Sequence, residues 1–464
     1  MDRPGRIDSA FVNPAFAYPI IKDKGVFYTK KWPPLSLAYC AAIAEERGQR
    51  VLLIDAHTER WGPLQVAERV RGAKNIYIST SPLDRWQCPV NRISNVYDVI
   101  REVRRQSRES AIFLIGPHGT TLPEKILDET EADVVILGEP EITVMEIAEG
   151  KTLESLEGVA YRENGRVIVK PKKRFMDLND LPKPAFQLLP MDKYFFDFLG
   201  KKFAVLEGSR GCPYRCTFCY KDMYGPFRSK TSRKLNEELT FAVERFGVKN
   251  IYFADLSFTA NKKLVSDMCD FIIDRGYKIR WACQTRLDLV DEGSLRKMRK
   301  AGCRLIEFGV ESGEETIVRR TNKYIPPKTI TEGLRLVRKL GIESVVFMMF
   351  GLPNETADEM RKSIRFVKKI NPTYAAFNIT VPYTETRNPD LFDPRAEKGV
   401  FFPESWGKYS PEFMDAILKK GLVSLYLQPR SILKVIKNPK AIFHKVGIFL
   451  AAMRTKKSVS PPSI

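Results

Sequence analysis

Three cysteines carry the sharpest chemical signal in the chain. They stand in the run Glu207-Gly208-Ser209-Arg210-Gly211-Cys212-Pro213-Tyr214-Arg215-Cys216-Thr217-Phe218-Cys219-Tyr220, with the spacing C-x3-C-x2-C. Thiolates are soft ligands, and three on one tight loop suit an iron–sulfur cluster. A [4Fe–4S] cluster held by three cysteines keeps one iron open, and an open metal position points to chemistry rather than scaffolding. A zinc site lacking its fourth ligand and a chance clustering are the competing readings. Zinc sites usually bring paired cysteines or histidines, and the chain has three histidines, none near this run. Gly211 and Pro213 bend the chain around the site, and residues 203–207 just before it read as a strand.

At 464 residues the chain exceeds one ordinary core, so roughly two or three domains are expected. Its composition is globular, 44% hydrophobic and 28% charged. No stretch is apolar for long enough to span a bilayer. The N-terminus lacks the basic-then-apolar pattern of a signal peptide. Eight cysteines, three of them clustered, suit a reducing compartment better than a disulfide framework. A cytoplasmic protein is expected. The net charge of +20 admits nucleic acid, an anionic membrane or an anionic substrate as partner. Residues 430–464 hold eight Lys and Arg and no acid. No aromatic stacking platform of the RNA-binding kind is evident there, so nucleic acid is disfavoured.

Around these residues the sequence lays out repeating elements. Within 1–150, strands are expected at 7–12, 50–54, 75–78, 111–115 and 133–137, and a helix at 35–47 closed by Gly48. The strands end in Asn13-Pro14, Asp55, Ser79-Thr80-Ser81-Pro82, Gly116-Pro117-His118-Gly119-Thr120 and Gly138-Glu139. That rhythm predicts an α/β fold, a doubly wound Rossmann-like sheet with its ligand site at the carboxyl ends of its strands. Residues 151–200 read as a connector, with a basic run at 170–174 and the extended Leu181-Pro182-Lys183-Pro184.

Residues 201–386 repeat strand and helix six times. Strands are expected at 203–207, 250–254, 280–285, 305–310, 345–350 and 375–380, with helices at 262–275, 294–301, 330–340 and 356–370. A partial (β/α)6 barrel follows, its site at the C-terminal ends of the strands, where the cysteines fall. Residues 387–464 turn helical and basic, with candidates at 411–427, 431–436 and 441–453. They either cap the barrel or lie on an anionic membrane.

Strand alternation places Gly309 and Glu307 on the face of Glu311, with Ile306, Phe308 and Val310 under helices. Arg286 shares a face with Gln284, and Asn378 one with Tyr374 and Ala376. Gln284, Glu307, Asn378 and Tyr383 are the substrate candidates, against the plainer role of interior hydrogen bonds or ion pairs. Cys40, Cys88, Cys269, Cys283 and Cys303 read as structural thiols.

The cysteine run, with its aromatic Phe218, resembles the signature of the radical S-adenosylmethionine (radical SAM) superfamily. Trp32-Pro33-Pro34-Leu35-Ser36-Leu37-Ala38-Tyr39, Glu46-Arg47-Gly48, Leu53-Ile54-Asp55-Ala56, Gly116-Pro117-His118 and Gly138-Glu139-Pro140-Glu141 resemble the cobalamin-binding domain fused before many radical SAM domains. Phe253-Ala254-Asp255, Trp281-Ala282-Cys283-Gln284-Thr285-Arg286, Gly309-Val310-Glu311-Ser312-Gly313 and Gly351-Leu352-Pro353-Asn354-Glu355-Thr356 are similar to that superfamily's later strand ends. The chain departs from the pattern at Leu256, where many relatives carry a second acid. It departs again at Thr384-Glu385, which replace the Pro-Gly of a Pro-Tyr-Pro-Gly-Thr turn.

The resemblance implies three cofactors: a [4Fe–4S] cluster on Cys212, Cys216 and Cys219, S-adenosylmethionine, and cobalamin. It assigns the S-adenosylmethionine amino group to Glu311 and Asp255, the carboxylate to Arg286, and adenine to the backbone of Gly351 and Leu352, with Phe218 in the cluster loop. Cobalamin would meet Asn13, Pro14, Leu35, Asp55, Ser79, Thr80, Ser81, Gly116, Pro117, His118, Gly119, Gly138 and Glu139. Asp55-Ala56-His57 is similar to the Asp-x-His motif that ligates cobalt elsewhere. Here, however, Arg60 stands where that motif has glycine, and the motif follows the second strand instead of the first. His57 is therefore expected to be a polar loop residue, with no histidine below the cobalt.

The implied activity is a cobalamin-dependent radical methyltransferase acting on a substrate carbon. The alternative is a non-methylating enzyme resembling the anaerobic magnesium-protoporphyrin cyclase or a ring-rearranging enzyme. A non-catalytic cobalamin sensor is disfavoured by the intact triad. Implied partners are a small-molecule, lipid, pigment or peptide substrate, an electron donor such as flavodoxin or ferredoxin, and a membrane surface met by the basic C-terminus.

Overall fold

The computed structural model describes residues 7–16, 31–81, 94–219, 224–352, 354–380 and 409–426. Five apolar runs pair as parallel strands in the order Val51–Asp55, Ser9–Asn13, Asn75–Ser79, Ala111–Ile115, Val134–Ile136. Their side chains alternate between two cores. Ala10, Val12 and Ile54 face the helices Pro63–Val70, Ser94–Gln106 and Pro123–Glu129. Phe11, Leu53, Tyr77 and Phe113 face the helices Leu35–Glu46 and Glu141–Ala148. Both faces are thus covered, as a parallel sheet requires.

The stretch read as a connector begins by extending this sheet. Val159–Glu163 and Arg166–Lys170 form a hairpin that adds two antiparallel strands beyond Val134–Ile136. Its turn is Asn164-Gly165, both at positive φ (50° and 76°), the dipeptide that a two-residue hairpin favours.

Helix Leu35–Glu46 is buried continuously from Leu35 to Ala44, with no polar face. A helix apolar all round needs cover on every side. The first sheet covers one side and the second half of the molecule another. The same apolar cluster runs on through Phe186, Tyr194, Phe203 and Leu206, so the two halves share one core.

The second sheet is parallel and sequential: Phe203–Leu206, Asn250–Phe253, Arg280–Thr285, Cys303–Glu311, Glu343–Phe350 and Tyr374–Ile379. Its first and last strands do not pair, which leaves an open, partial barrel. The covering helices start where side chains cap them: Asn261 on Lys262–Asp274, Asp291 on Glu292–Lys300, Thr356 on Ala357–Ile370. Helix Pro411–Tyr426 packs on the last strand, where a Cβ on Gly421 would stand 3.1 Å from the Phe377 ring.

Aromatic side chains fill the N-terminal end of the half-barrel. The Trp32 ring lies 4.8 Å from Tyr252, 5.1 Å from Phe196 and 5.4 Å from Phe203. Phe198, in the turn between Phe195–Phe196 and Gly200–Lys201, reaches Tyr374 on the far strand at 5.0 Å. No helix among the described residues is long and apolar enough to cross a membrane. The candidate helices at 431–436 and 441–453 lie outside the described residues.

Candidate functional site

The cysteine loop has a closed neck. Ser209–Arg210 pairs antiparallel with Arg228–Ser229, so the chain leaves and returns at one place. Gly211 follows at φ 72°, and a Cβ there would stand 2.7 Å from the Pro226 carbonyl oxygen, so only glycine fits. The far side of the loop is fastened to one turn of backbone. Thr217 N–H donates to the Thr321 carbonyl at 3.0 Å, and the Asn322 side-chain amide donates to the Arg215 carbonyl at 3.0 Å. Cys212, Cys216 and Cys219 are in no disulfide and are partly exposed. Burial pushes the Cys216 thiol up, while Lys323 and Arg286 pull against it and favour thiolate. Three thiols on one loop beside two cations fit cluster ligation.

Two ion pairs flank the loop. Glu311 has φ 67°, and the pairing register with the next strand shifts between Gly309 and Glu311. Its Oε1 accepts from Lys323 Nζ, and Lys323 lies 5.6 Å from the centre of the Phe218 ring. Burial pulls the lysine pKa down, but Glu311 and the neighbouring Cys216 outweigh it, so the net shift is upward. Gly309 makes room for this pair: a Cβ there would stand 2.2 Å from Lys323 Nζ. Arg286 donates to both oxygens of Asp288, at 2.9 and 2.8 Å, and stacks 4.0 Å over Tyr214 of the cysteine loop. A ligand carrying an ammonium and a carboxylate presents the complementary charge to Glu311 and to Arg286.

The remaining barrel candidates fall into two groups. Asp255 is buried and takes the Gly208 N–H at 2.9 Å and the Ser209 hydroxyl, which anchors the strand end leading into the neck. Burial raises its pKa to about 7. Gly351 and Leu352 commit their amides to Glu355 Oε2, at 2.8 and 3.2 Å, and burial raises Glu355 to about 7 as well. Glu307 is buried, accepts from the Tyr252 hydroxyl at 2.7 Å and stands in register with Gln284. Beyond them the inner face opens. Gln284, Phe347, Met349 and Ala376 are half-buried, and Asn378 is exposed. Tyr383 lies outside the described residues.

At the first sheet, the strand order puts the switch point between Ser9–Asn13 and Asn75–Ser79, where Asn13-Pro14 faces Ser79-Thr80-Ser81. The Thr80 hydroxyl donates to the Ile115 carbonyl and accepts the Gly119 N–H at 3.3 Å, which joins that edge to the Gly116-Pro117-His118-Gly119 loop. Gly116 sits at φ 114°, and a Cβ on it would stand 3.1 Å from Thr80 Oγ1. The Gly138 N–H is held by Thr120 at 3.0 Å. The rim is therefore close backbone and small side chains, a surface that a flat ligand such as a corrin can approach.

Asp55 is engaged on both oxygens, by Asn13, the Thr58 amide and the Tyr194 hydroxyl. Leu35 is buried at the start of its helix. His57 is buried in the short helix Ala56–Glu59 that follows directly on the edge strand, and its Nδ1 accepts the Phe16 N–H at 3.2 Å. It is a buried helical residue, where the sequence suggested a polar loop.

Two family models match the chain: the radical SAM superfamily over residues 206–367, and the B12 binding domain over residues 26–148. The chain is a cobalamin-dependent radical SAM enzyme. It is 29% identical over 424 residues to an uncharacterized methyltransferase of Pyrococcus horikoshii, covering 87% of this chain and 90% of that one. It is 24% identical to the anaerobic magnesium-protoporphyrin IX monomethyl ester cyclase of Rubrivivax gelatinosus, covering 87% and 73%. Its fold is similar to that of the methyltransferase TsrM from Kitasatospora setae, solved with cobalamin and a [4Fe–4S] cluster, at a TM-score of 0.67 and 17% identity over 82% of this chain and 77% of that one. The cofactors of this radical SAM enzyme are a [4Fe–4S] cluster, S-adenosylmethionine and cobalamin.

The structure also brings together residues that sequence reasoning missed. Arg210 donates to Glu139 at 2.8 Å, to Glu141 at 2.7 Å and to Glu207 at 2.8 and 3.0 Å. Arg228, across the neck, donates to the same Glu139 oxygen at 2.6 Å. Lys323, Asp288 and Tyr214 were missed at the cluster loop. Gly309 on the inner face, two residues before an acid, was the available signal for Lys323. For Arg210 only Glu207 is local, and its partners at 139 and 141 are about seventy positions away.

Proposed function

We propose that this enzyme transfers a methyl group to a carbon atom of a largely apolar substrate. When bound, cobalamin supplies a transferable methyl group, and the cluster supplies the electron that cleaves S-adenosylmethionine. The observation that carries the two-cofactor reading is the contact of Glu139, on a B12-domain strand-end loop, with both strands of the cysteine-loop neck. It keeps the rim of the first sheet and the cluster loop in one frame, as a reaction using both reagents on one substrate requires. Methylation in particular is supported by the 29% identity to the Pyrococcus methyltransferase over 90% of its length.

This chain's own residues would do the positioning. Glu311 and Arg286 offer opposite charges to the amino-acid end of S-adenosylmethionine. The inner face beyond them offers Phe347, Met349 and Ala376 for apolar surface and Gln284 and Asn378 for polar anchoring. That mixture suits a lipid, a pigment intermediate or an apolar peptide side chain better than a compact polar metabolite. A one-electron donor of the flavodoxin or ferredoxin kind would approach the exposed Pro213 and Arg215 side of the cysteine loop.

Oxidative cyclisation is the second reading, favoured by the 24% identity to the Rubrivivax cyclase over 87% of this chain. Product balance in a reduced, anaerobic assay separates them. A methyltransferase forms S-adenosylhomocysteine and 5′-deoxyadenosine together, and the product gains one methyl group. A cyclase forms 5′-deoxyadenosine without matching S-adenosylhomocysteine, and that result would overturn the first reading.

A further inference from the structure

We infer that the buried Glu139–Arg210–Arg228 bridge couples the two cofactor seats, so that the affinity for cobalamin depends on whether the cysteine loop holds its cluster. The inference rests on the reading of Cys212, Cys216 and Cys219 as cluster ligands and of the first sheet's strand-end loops as the cobalamin seat.

Three observations carry it. The first is placement. Glu139 follows Gly138 at the end of the fifth strand of the B12 domain, while Arg210 stands two residues before Cys212. Arg228 lies opposite Arg210 on the returning strand. One carboxylate oxygen, Glu139 Oε2, therefore grips both strands of the neck.

The second is burial. The side chains of Arg210 and Glu139 are 3% and 2% exposed. A buried guanidinium cannot move away from its carboxylates without leaving charge uncompensated, so the neck and the Gly138–Glu141 loop shift together or not at all. A second buried clamp acts on the same neck: Lys230, next after Ser229, donates to Glu238 at 2.6 Å and to the Tyr39 hydroxyl at 2.8 Å. Tyr39 belongs to the B12-domain helix Leu35–Glu46.

The third is an oxygen left over. Glu139 Oε1 is buried and accepts no hydrogen bond among the described residues. Buried acceptors in native proteins are nearly always satisfied, so such an atom suits a donor that a ligand brings. The carboxamides around a corrin rim are donors of that kind. Glu139 then touches the neck with one oxygen and the cobalamin edge with the other. A cluster held by the three thiols of the loop above this neck restrains the neck itself, and that restraint is felt at the cobalamin seat through Glu139. Coupling of this sort is reciprocal.

The test measures the affinity for hydroxocobalamin by absorbance titration of the full chain in two states. One is anaerobically reconstituted with its cluster, and the other carries Cys212→Ala, Cys216→Ala and Cys219→Ala together. The reconstituted chain should bind about fivefold or more tightly than the cysteine-free chain, the lower range of site-to-site coupling. With Arg228→Gln in both backgrounds the ratio should fall to about one, and Arg228→Lys, which keeps the charge, should recover part of it. Should Arg228→Gln fail to load iron, Glu139→Gln cuts the same bridge from the other side and is read the same way. A ratio near one in the unsubstituted chain, or a ratio that survives Arg228→Gln, overturns the coupling. Failure to bind hydroxocobalamin at all, or iron retained by the cysteine-free chain, would strike the site reading instead.

Discussion

Lys323 and Glu311 form an ion pair directly beneath Phe218 of the cysteine loop, with side chains only 13% and 7% exposed. Removing one partner strands the other. Glu311→Gln or Lys323→Met alone should destabilise the ligand-free chain by about 3–5 kcal/mol, the usual cost of breaking a buried pair. The double variant should lose clearly less than the sum. Urea unfolding of the four chains checks this, and additive losses would show that the pair is not a unit. Glu311→Gln should also weaken S-adenosylmethionine binding, read by equilibrium dialysis.

Cluster binding should depend on all three cysteines. The chain with Cys212, Cys216 and Cys219 changed to alanine should retain no iron after anaerobic reconstitution, and an unchanged iron count would sink the assignment. Gly211→Ala tests the loop instead of the ligands. The added Cβ would stand 2.7 Å from the Pro226 carbonyl oxygen, with backbone on both sides of the clash. Iron content should fall while far-ultraviolet circular dichroism stays unchanged.

Asp255 gives a pH prediction with a definite sign. Its pKa is raised from 3.8 to about 7 by burial. A raised pKa means that the folded state holds the proton where the unfolded state releases it. The resulting stability is complete below pH ~4 and is lost as pH rises through ~7. Between those limits the slope attributable to this group is at most about 1.4 kcal/mol per pH unit. Asp255→Asn should flatten that part of the profile. Thermal unfolding of both chains from pH 4 to 8 reads it, and parallel profiles would show that Asp255 is not the group responsible.

His57 already accepts the Phe16 amide through Nδ1, which leaves the proton of a neutral imidazole on Nε2. Cob(II)alamin on this chain should therefore show no nitrogen superhyperfine splitting from an axial ligand in paramagnetic resonance. A nitrogen triplet that vanishes with His57→Ala would show the opposite.

Much of the frame was legible because it is local. Strand ends are marked by glycine, proline and small polar residues, and the observed second-sheet strands, such as Arg280–Thr285 and Tyr374–Ile379, fall within a residue or two of the expected ones. The cysteine loop was legible from spacing alone. The hairpin 159–170 was also readable from Asn164-Gly165 between alternating residues, but the surrounding charge disguised it as linker. What could not be read is pairing at a distance. Lys323 looks like any surface lysine after Arg319-Arg320-Thr321-Asn322, and only the fold carries it under Phe218. Asp255 resembled a ligand contact in sequence, yet both its oxygens serve the strand end before the neck. The C-terminal basic stretch and Tyr383 lie outside the described residues.

Trp32 belongs to the B12 half by sequence, yet its ring is packed among Phe196, Phe203 and Tyr252 of the other half. The barrel therefore borrows its floor from the preceding domain. A fragment expressed from residue 190 onward would open an aromatic hole to water, and removing a buried tryptophan's contacts costs about 3–5 kcal/mol in a packed core. Such a fragment should be recovered insoluble, and the intact chain should melt in one transition. The two halves are not modules that can be exchanged at will: any ancestor that recombined them had to carry a tryptophan, or a substitute of its size, across the joint.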